Sequence, residues 1–137
     1  MEPNQNAQEL VYRFKYLKDQ RDMFLGQLDL LNASLGNILN TKSTLENLKN
    51  VKDNEEILVP IGGLANIKAI IKDPGKIILH INQDIAIEKD LDSSMEFLDK
   101  IITHHNEQIN FVRTQIQNLD ANLQSMSQQF QRSSPIQ

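Results

Sequence analysis

Residues 56–88 run Glu56-Ile57-Leu58-Val59-Pro60-Ile61-Gly62-Gly63, then Leu64-Ala65-Asn66-Ile67-Lys68-Ala69-Ile70-Ile71. Past Asp73-Pro74-Gly75 they continue Lys76-Ile77-Ile78-Leu79-His80-Ile81-Asn82-Gln83-Asp84-Ile85-Ala86-Ile87-Glu88. Short β-branched runs punctuated by Gly-Gly, Asp-Pro-Gly and Asn-Gln-Asp predict four short strands in two hairpins. Pro60 has no N–H for a ladder, so it is expected at an edge or a bulge. Two such hairpins are marginal in water by themselves, and their edges invite pairing. The segment therefore predicts an oligomer assembled through these strands. Ile57, Val59, Ile61, Ile67, Ile70, Ile77, Leu79, Ile81, Ile85 and Ile87 are the residues expected to build it.

Outward from this segment the apolar period lengthens to that of a helix. Leu10, Leu17, Phe24, Leu31, Ile38 and Leu45 fill one seam position. Phe14, Arg21, Leu28, Leu35, Lys42 and Lys49 fill the other. On the C-terminal side, Leu91, Leu98, His105, Val112, Leu119 and Met126 alternate with Met95, Ile102, Ile109, Ile116, Leu123 and Phe130. This 4–3 spacing is that of a left-handed coiled coil. It predicts helices over about 7–50 and about 91–131, strands over about 56–89 and a flexible tail at 132–137, all in one domain. Ser93 and Glu96 suggest a capping box at the start of the second helix. Leu10 to Leu45 and Met95 to Phe130 span equal lengths, so folding at the middle brings Leu45 near Met95, Leu10 near Phe130 and Arg21 near residue 119. The expected fold is α+β, a long antiparallel coiled-coil hairpin with two β-hairpins inserted between its helices. At 1.5 Å per residue the hairpin is roughly 50 Å long.

Composition excludes several functions. The chain has 137 residues, 39% hydrophobic but only 5% aromatic, too little bulk for a compact globule. Asn and Gln number 14 and 13, which suits long helices with wide polar faces. The net charge is −4 with basic residues scattered, unlike a nucleic-acid footprint. With no cysteine there is no disulfide, Cys-ligated zinc or thiol nucleophile. The first residues carry neither a basic start nor an apolar run, and no stretch is long enough to span a bilayer. A cytoplasmic chain without membrane contact is expected. Gly62-Gly63 and Gly75-Lys76 lack phosphate-loop spacing. His104 and His105 diverge on a helix, and His105 is expected to be a polar, register-setting seam residue rather than a metal ligand. Asn32-Ala33-Ser34, a sequon in mid-helix, is expected to be inert. No catalytic constellation is present, so neither an enzyme nor a cofactor is expected.

The residues Glu56 to Gly62, Ile67-Lys68-Ala69, the turn at 73–76, the strand Ile77–Ile81 and Ile85 to Lys89 resemble the α-type subunit of prefoldin, along essentially the whole chain. Two hairpins rather than one fit the α type, and the Ala/Lys-containing second strand is closer to archaeal members. Asn82-Gln83-Asp84 departs from the glycine-containing turn usual there, with positive φ at Asn or Asp as the expected substitute. The resemblance implies a hexamer of two α-type and four prefoldin beta-type subunits on a β-barrel platform. It further implies ATP-independent capture of non-native polypeptides at the coiled-coil tips and their transfer to a group II chaperonin.

Leu10, Val11, Tyr12, Phe14 and Tyr16 on one arm, and Leu119, Leu123, Met126 and Phe130 on the other, are the candidate client-binding residues. Val11, Tyr12 and Tyr16 fall off the seam and should be exposed. Leu119 and Leu123 are expected to pack within the hairpin. Tyr12, Met126 and Phe130 near the helix ends are the stronger candidates for client contact. Between Phe111 and Gln137 only Arg113, Asp120 and Arg132 are charged, a surround that repels clients of neither sign. The competing reading is a coiled-coil scaffold or tether without client binding.

Overall fold

The computed structural model describes residues 3–133. Helix α1 (Pro3–Leu48) is followed by strands β1 (Glu56–Pro60), β2 (Asn66–Ile70), β3 (Lys76–His80) and β4 (Ala86–Asp90), then helix α2 (Leu91–Ser133). The two helices run a few residues beyond their sequence bounds at the outer ends. Positions 134–137 of the expected tail lie outside the described residues. Among the described residues no helix is long and apolar enough to cross a membrane.

The chain divides into two compact units, residues 36–103 and residues 1–35 with 104–137. The first carries the sheets. β1 pairs antiparallel with β2 and β3 with β4, as two separate two-stranded sheets. The register sets Ile57 opposite Ala69 and Val59 opposite Ile67, with Ile77 opposite Lys89 and Leu79 opposite Ile87. Ile61 N–H donates to Ala65 O, and Ile81 N–H to Ile85 O, just beyond the strand ends. Cross-strand partners share a face. Ile57, Val59, Ile61 and Ile67 therefore form one apolar face, and Ile77, Leu79, Ile81, Ile85 and Ile87 form another. Ile70 faces the other way, across from Glu56 and beside Leu58. Burial fades along each hairpin: Leu79 is buried and Ile77 and Ile87 half-buried, whereas Ile61, Ile81 and Ile85 are exposed. Because Ile61–Ala65 is a hydrogen-bonded pair, Pro60 sits at a non-bonded position. Its missing N–H therefore falls on the open edge, in keeping with the edge expectation.

The turns follow local chemistry. Gly62 has φ of 116°, a conformation that only glycine adopts without strain. Asp73 accepts from Gly75 N–H and, through its carbonyl, from Lys76 N–H, with Pro74 at the second position as in a type I turn. Asn82 does not adopt the positive φ expected of that turn. Its Oδ1 instead accepts from the N–H groups of both Asp84 and Ile85 at 2.8 Å, an Asx turn that dispenses with glycine. Among the described residues the positive-φ non-glycine residue is Asn54, φ 65°, between the α1 end and β1. The expected capping box is also displaced. Asp90 caps α2, its Oδ1 accepting the Ser93 N–H at 2.7 Å, and buried Ser94 donates to Asp90 O. Leu91 N–H donates to Gly75 O, tying the first turn of α2 to the turn before β3.

Within this unit Leu45, Leu79 and Leu98 are buried. Lys42 pairs with Asp99 at 2.7 Å and Lys49 lies 4.0 Å from Asp92. Asp99, by hydrogen bond and then by charge, holds the Lys42 ammonium above its ordinary pKa. In the other unit the core is a run of α2 seam residues, Ile109, Val112, Ile116, Leu119 and Met126, with Val112 only 1% exposed. The facing α1 residues Leu10, Phe14, Leu17, Phe24, Leu28, Leu31 and Leu35 are half-buried. The α2 seam is thus covered more completely than the α1 seam in this unit.

Candidate client-binding surface

The surface of interest lies where the start of α1 meets the end of α2. Phe14 and Phe130 are in edge-to-face contact, ring centroids 5.7 Å apart and planes at 83°, a favoured aromatic geometry. Phe14 lies one helical turn along α1 from Leu10, the position that seam counting sets near Phe130. Arg21 pairs with Asp120, one residue from the expected 119. Ser34 Oγ and His105 Nε2 lie 3.0 Å apart, so the seam histidine is met by a hydroxyl from the other helix.

The candidate residues separate into two groups. Leu119 and Met126 are buried, and Leu10, Phe14, Leu123 and Phe130 are half-buried within the helix pair. Met126, near the helix end, packs in the seam. Val11, Tyr12 and Tyr16 are exposed, Tyr12 by 74%. Ala7, Gln8, Val11 and Tyr12 line an open depression on α1, and Gln20 Nε2 donates to the Tyr16 hydroxyl at 2.9 Å. Exposed apolar side chains on a polar helix can engage apolar segments without a fixed shape. Met23, Leu30 and Phe111 are further exposed large apolar residues that were not singled out from sequence. The heptad step from Tyr16 to Met23 to Leu30 was the available signal. Among the described residues no group of three or more His, Asp or Glu could hold a metal ion.

Comparison with known proteins agrees with this architecture. The family model for the prefoldin subunit matches residues 17–135. Prefoldin subunit alpha of Pyrococcus horikoshii is 32% identical over 107 residues, covering 77% of this chain and 72% of that protein. Prefoldin subunit alpha 1 of Thermococcus kodakarensis is 35% identical over 104 residues, covering 76% and 71%. Among solved structures, a chain of the filamentous PFD from Methanocaldococcus jannaschii, determined by cryo-EM, superposes with a TM-score of 0.68. It is 19% identical and covers 89% of this chain and 98% of that one, a likeness of fold. Two seam-patterned helices joined through two β-hairpins, and relatives that share this pattern over most of their length, place the chain in the prefoldin family, among its alpha subunits.

Proposed function

We propose that this chain is one arm of an ATP-independent holdase, which captures non-native polypeptides at the end of its coiled coil and passes them to a group II chaperonin. In this reading it joins beta-type subunits, two alpha and four beta, through the apolar hairpin faces. The observation that carries it is the exposure of Val11, Tyr12 and Tyr16 beside a seam whose own residues are already paired. More than half of each of these residues stays open to solvent. Apolar groups left in water on a polar support mark a surface for apolar partners.

The test is suppression of aggregation of a chemically unfolded protein by the assembled complex. Val11→Ser/Tyr12→Ser/Tyr16→Ser should weaken suppression roughly tenfold while the complex keeps its size on gel filtration. Unchanged suppression in an intact complex would overturn the reading.

A further inference from the structure

The two flanks of the helix pair in the unit of residues 1–35 and 104–137 are chemically unlike. In an antiparallel pair one flank lies beside the first seam column of each helix and the other beside the second. Arg21 reaching Asp120 marks one flank, and Ser34 meeting His105 marks the opposite one. The Arg21 flank carries Lys15, Lys18, Asp22, Asp29, Arg113 and Asp120. The Ser34 flank has Gln20, Gln27, Gln108 and Gln115, with no charged residue from Tyr16 to Ser34 or from Gln108 to Ser125 in its columns. Its outer columns hold Tyr16, Met23 and Leu30 on α1 and Phe111 on α2, exposed by 61%, 60%, 74% and 61%. Counting nine residues from the Arg21–Asp120 pair along each helix sets Leu30 level with Phe111.

We propose that this uncharged flank, from Tyr16 to the Leu30–Phe111 pair, is a lateral track for an extended, apolar, charge-poor segment of a non-native polypeptide. It rests on the holdase reading and extends the contact surface beyond the end of the arm. Three features of the flank fit such a segment. An apolar segment brings no charge, and this flank offers none to leave unpaired. Its peptide groups need both donors and acceptors, and each glutamine side chain supplies both. Tyr16, Met23 and Leu30 recur about every 10.5 Å, close to the about 9 Å at which a polyproline-II segment repeats a side-chain direction. A second helix fits less well, since it needs two apolar columns per heptad. The column beside Tyr16, Met23 and Leu30 is Tyr12, Asp19, Gly26 and Ala33.

The experiment places a photo-cross-linking amino acid singly at 23, 30 or 111, at 22, 29 or 113 on the charged flank, and at 11 or 12. Each variant is assembled into the full complex and offered a chemically unfolded protein. The track predicts client adducts at 23, 30 and 111 several times more abundant than at 22, 29 and 113. Met23→Glu/Leu30→Glu/Phe111→Glu, with helix content and complex size unchanged, should weaken client affinity roughly tenfold. Adducts confined to 11 and 12 would overturn the track and leave the holdase reading standing. Adducts joining two copies of this chain at 23, 30 and 111 would also overturn it. Absence of client adducts everywhere, together with absent aggregation suppression, would overturn both.

Discussion

Asp90 is the residue on which the junction between sheet and helix rests. It ends β4, pairs across from Lys76 and caps α2 through the Ser93 N–H. That hydrogen bond, and then the Ser93 hydroxyl, hold the carboxyl below its ordinary pKa, with the Lys89 charge assisting against a small opposing effect of burial. A depressed folded pKa means the stabilisation is fully present above the ordinary value of 3.8. It is lost as pH falls through the lower folded value. Asp90→Ala should therefore lower the thermal midpoint at neutral pH, with the gap to the parent narrowing in acid. Asp90→Asn should retain most of the cap, because the amide oxygen accepts the same N–H, but lose the pH dependence. Thermal melts between pH 2 and pH 7 on the assembled protein check both on the order of single degrees. The sequence pointed to Ser93 with Glu96 because that pair has capping spacing; Asp90 was hidden because it also continues the strand. At Asn82 the side chain replaces the backbone freedom that glycine would have supplied, which residue preferences alone do not distinguish.

At the scale of elements, the pairing between α1 and α2 is regular. Within the unit of residues 36–103, moving from Lys42 to Lys49 shifts the partner from Asp99 back to Asp92, seven residues on each helix. In the other unit Arg21 takes Asp120. Each cation occupies a seam position that an apolar residue would fill more stably, and each finds a carboxylate at the same offset. A slip of one heptad in one direction would set Arg21 against Arg113, and in the other against Ser127. The charged seam positions thus oppose alternative registers at some expense in stability. A double-mutant cycle on Arg21 and Asp120 should give a coupling of about 0.5–1 kcal/mol, as for a partly exposed pair. Arg21→Glu should destabilise and Arg21→Glu/Asp120→Arg should recover most of the loss. Denaturant melts measure this, and the coupling should shrink at high salt. The strands and both helices were legible to within a few residues, because apolar periodicity is written locally in each. The lone cations in the first seam looked like interruptions until their partners were in place.

At the scale of the whole molecule, the apolar residues left exposed are as informative as those buried. Ile61, Ile81 and Ile85 sit toward the free ends of the hairpins, while the helix-proximal Leu79 is buried. Among the described residues no strand of one hairpin contacts a strand of the other, and each strand keeps an open edge. Ile61→Lys/Ile81→Lys/Ile85→Lys should abolish assembly with a beta-type partner while the far-ultraviolet helix signal persists. Gel filtration of the co-expressed pair reads the first and circular dichroism the second. Retained assembly would mean that other surfaces hold the subunits together. The sequence by itself determined the element order and the matched seams, since a heptad or a β alternation is a property of neighbouring residues. Only the tertiary structure decided which tip residues are free, which carboxylate each seam cation meets, and that one flank of the arm is charged while the other is amide-rich. Those depend on how two helices are rotated and registered against each other, and that relation is set by packing across the chain.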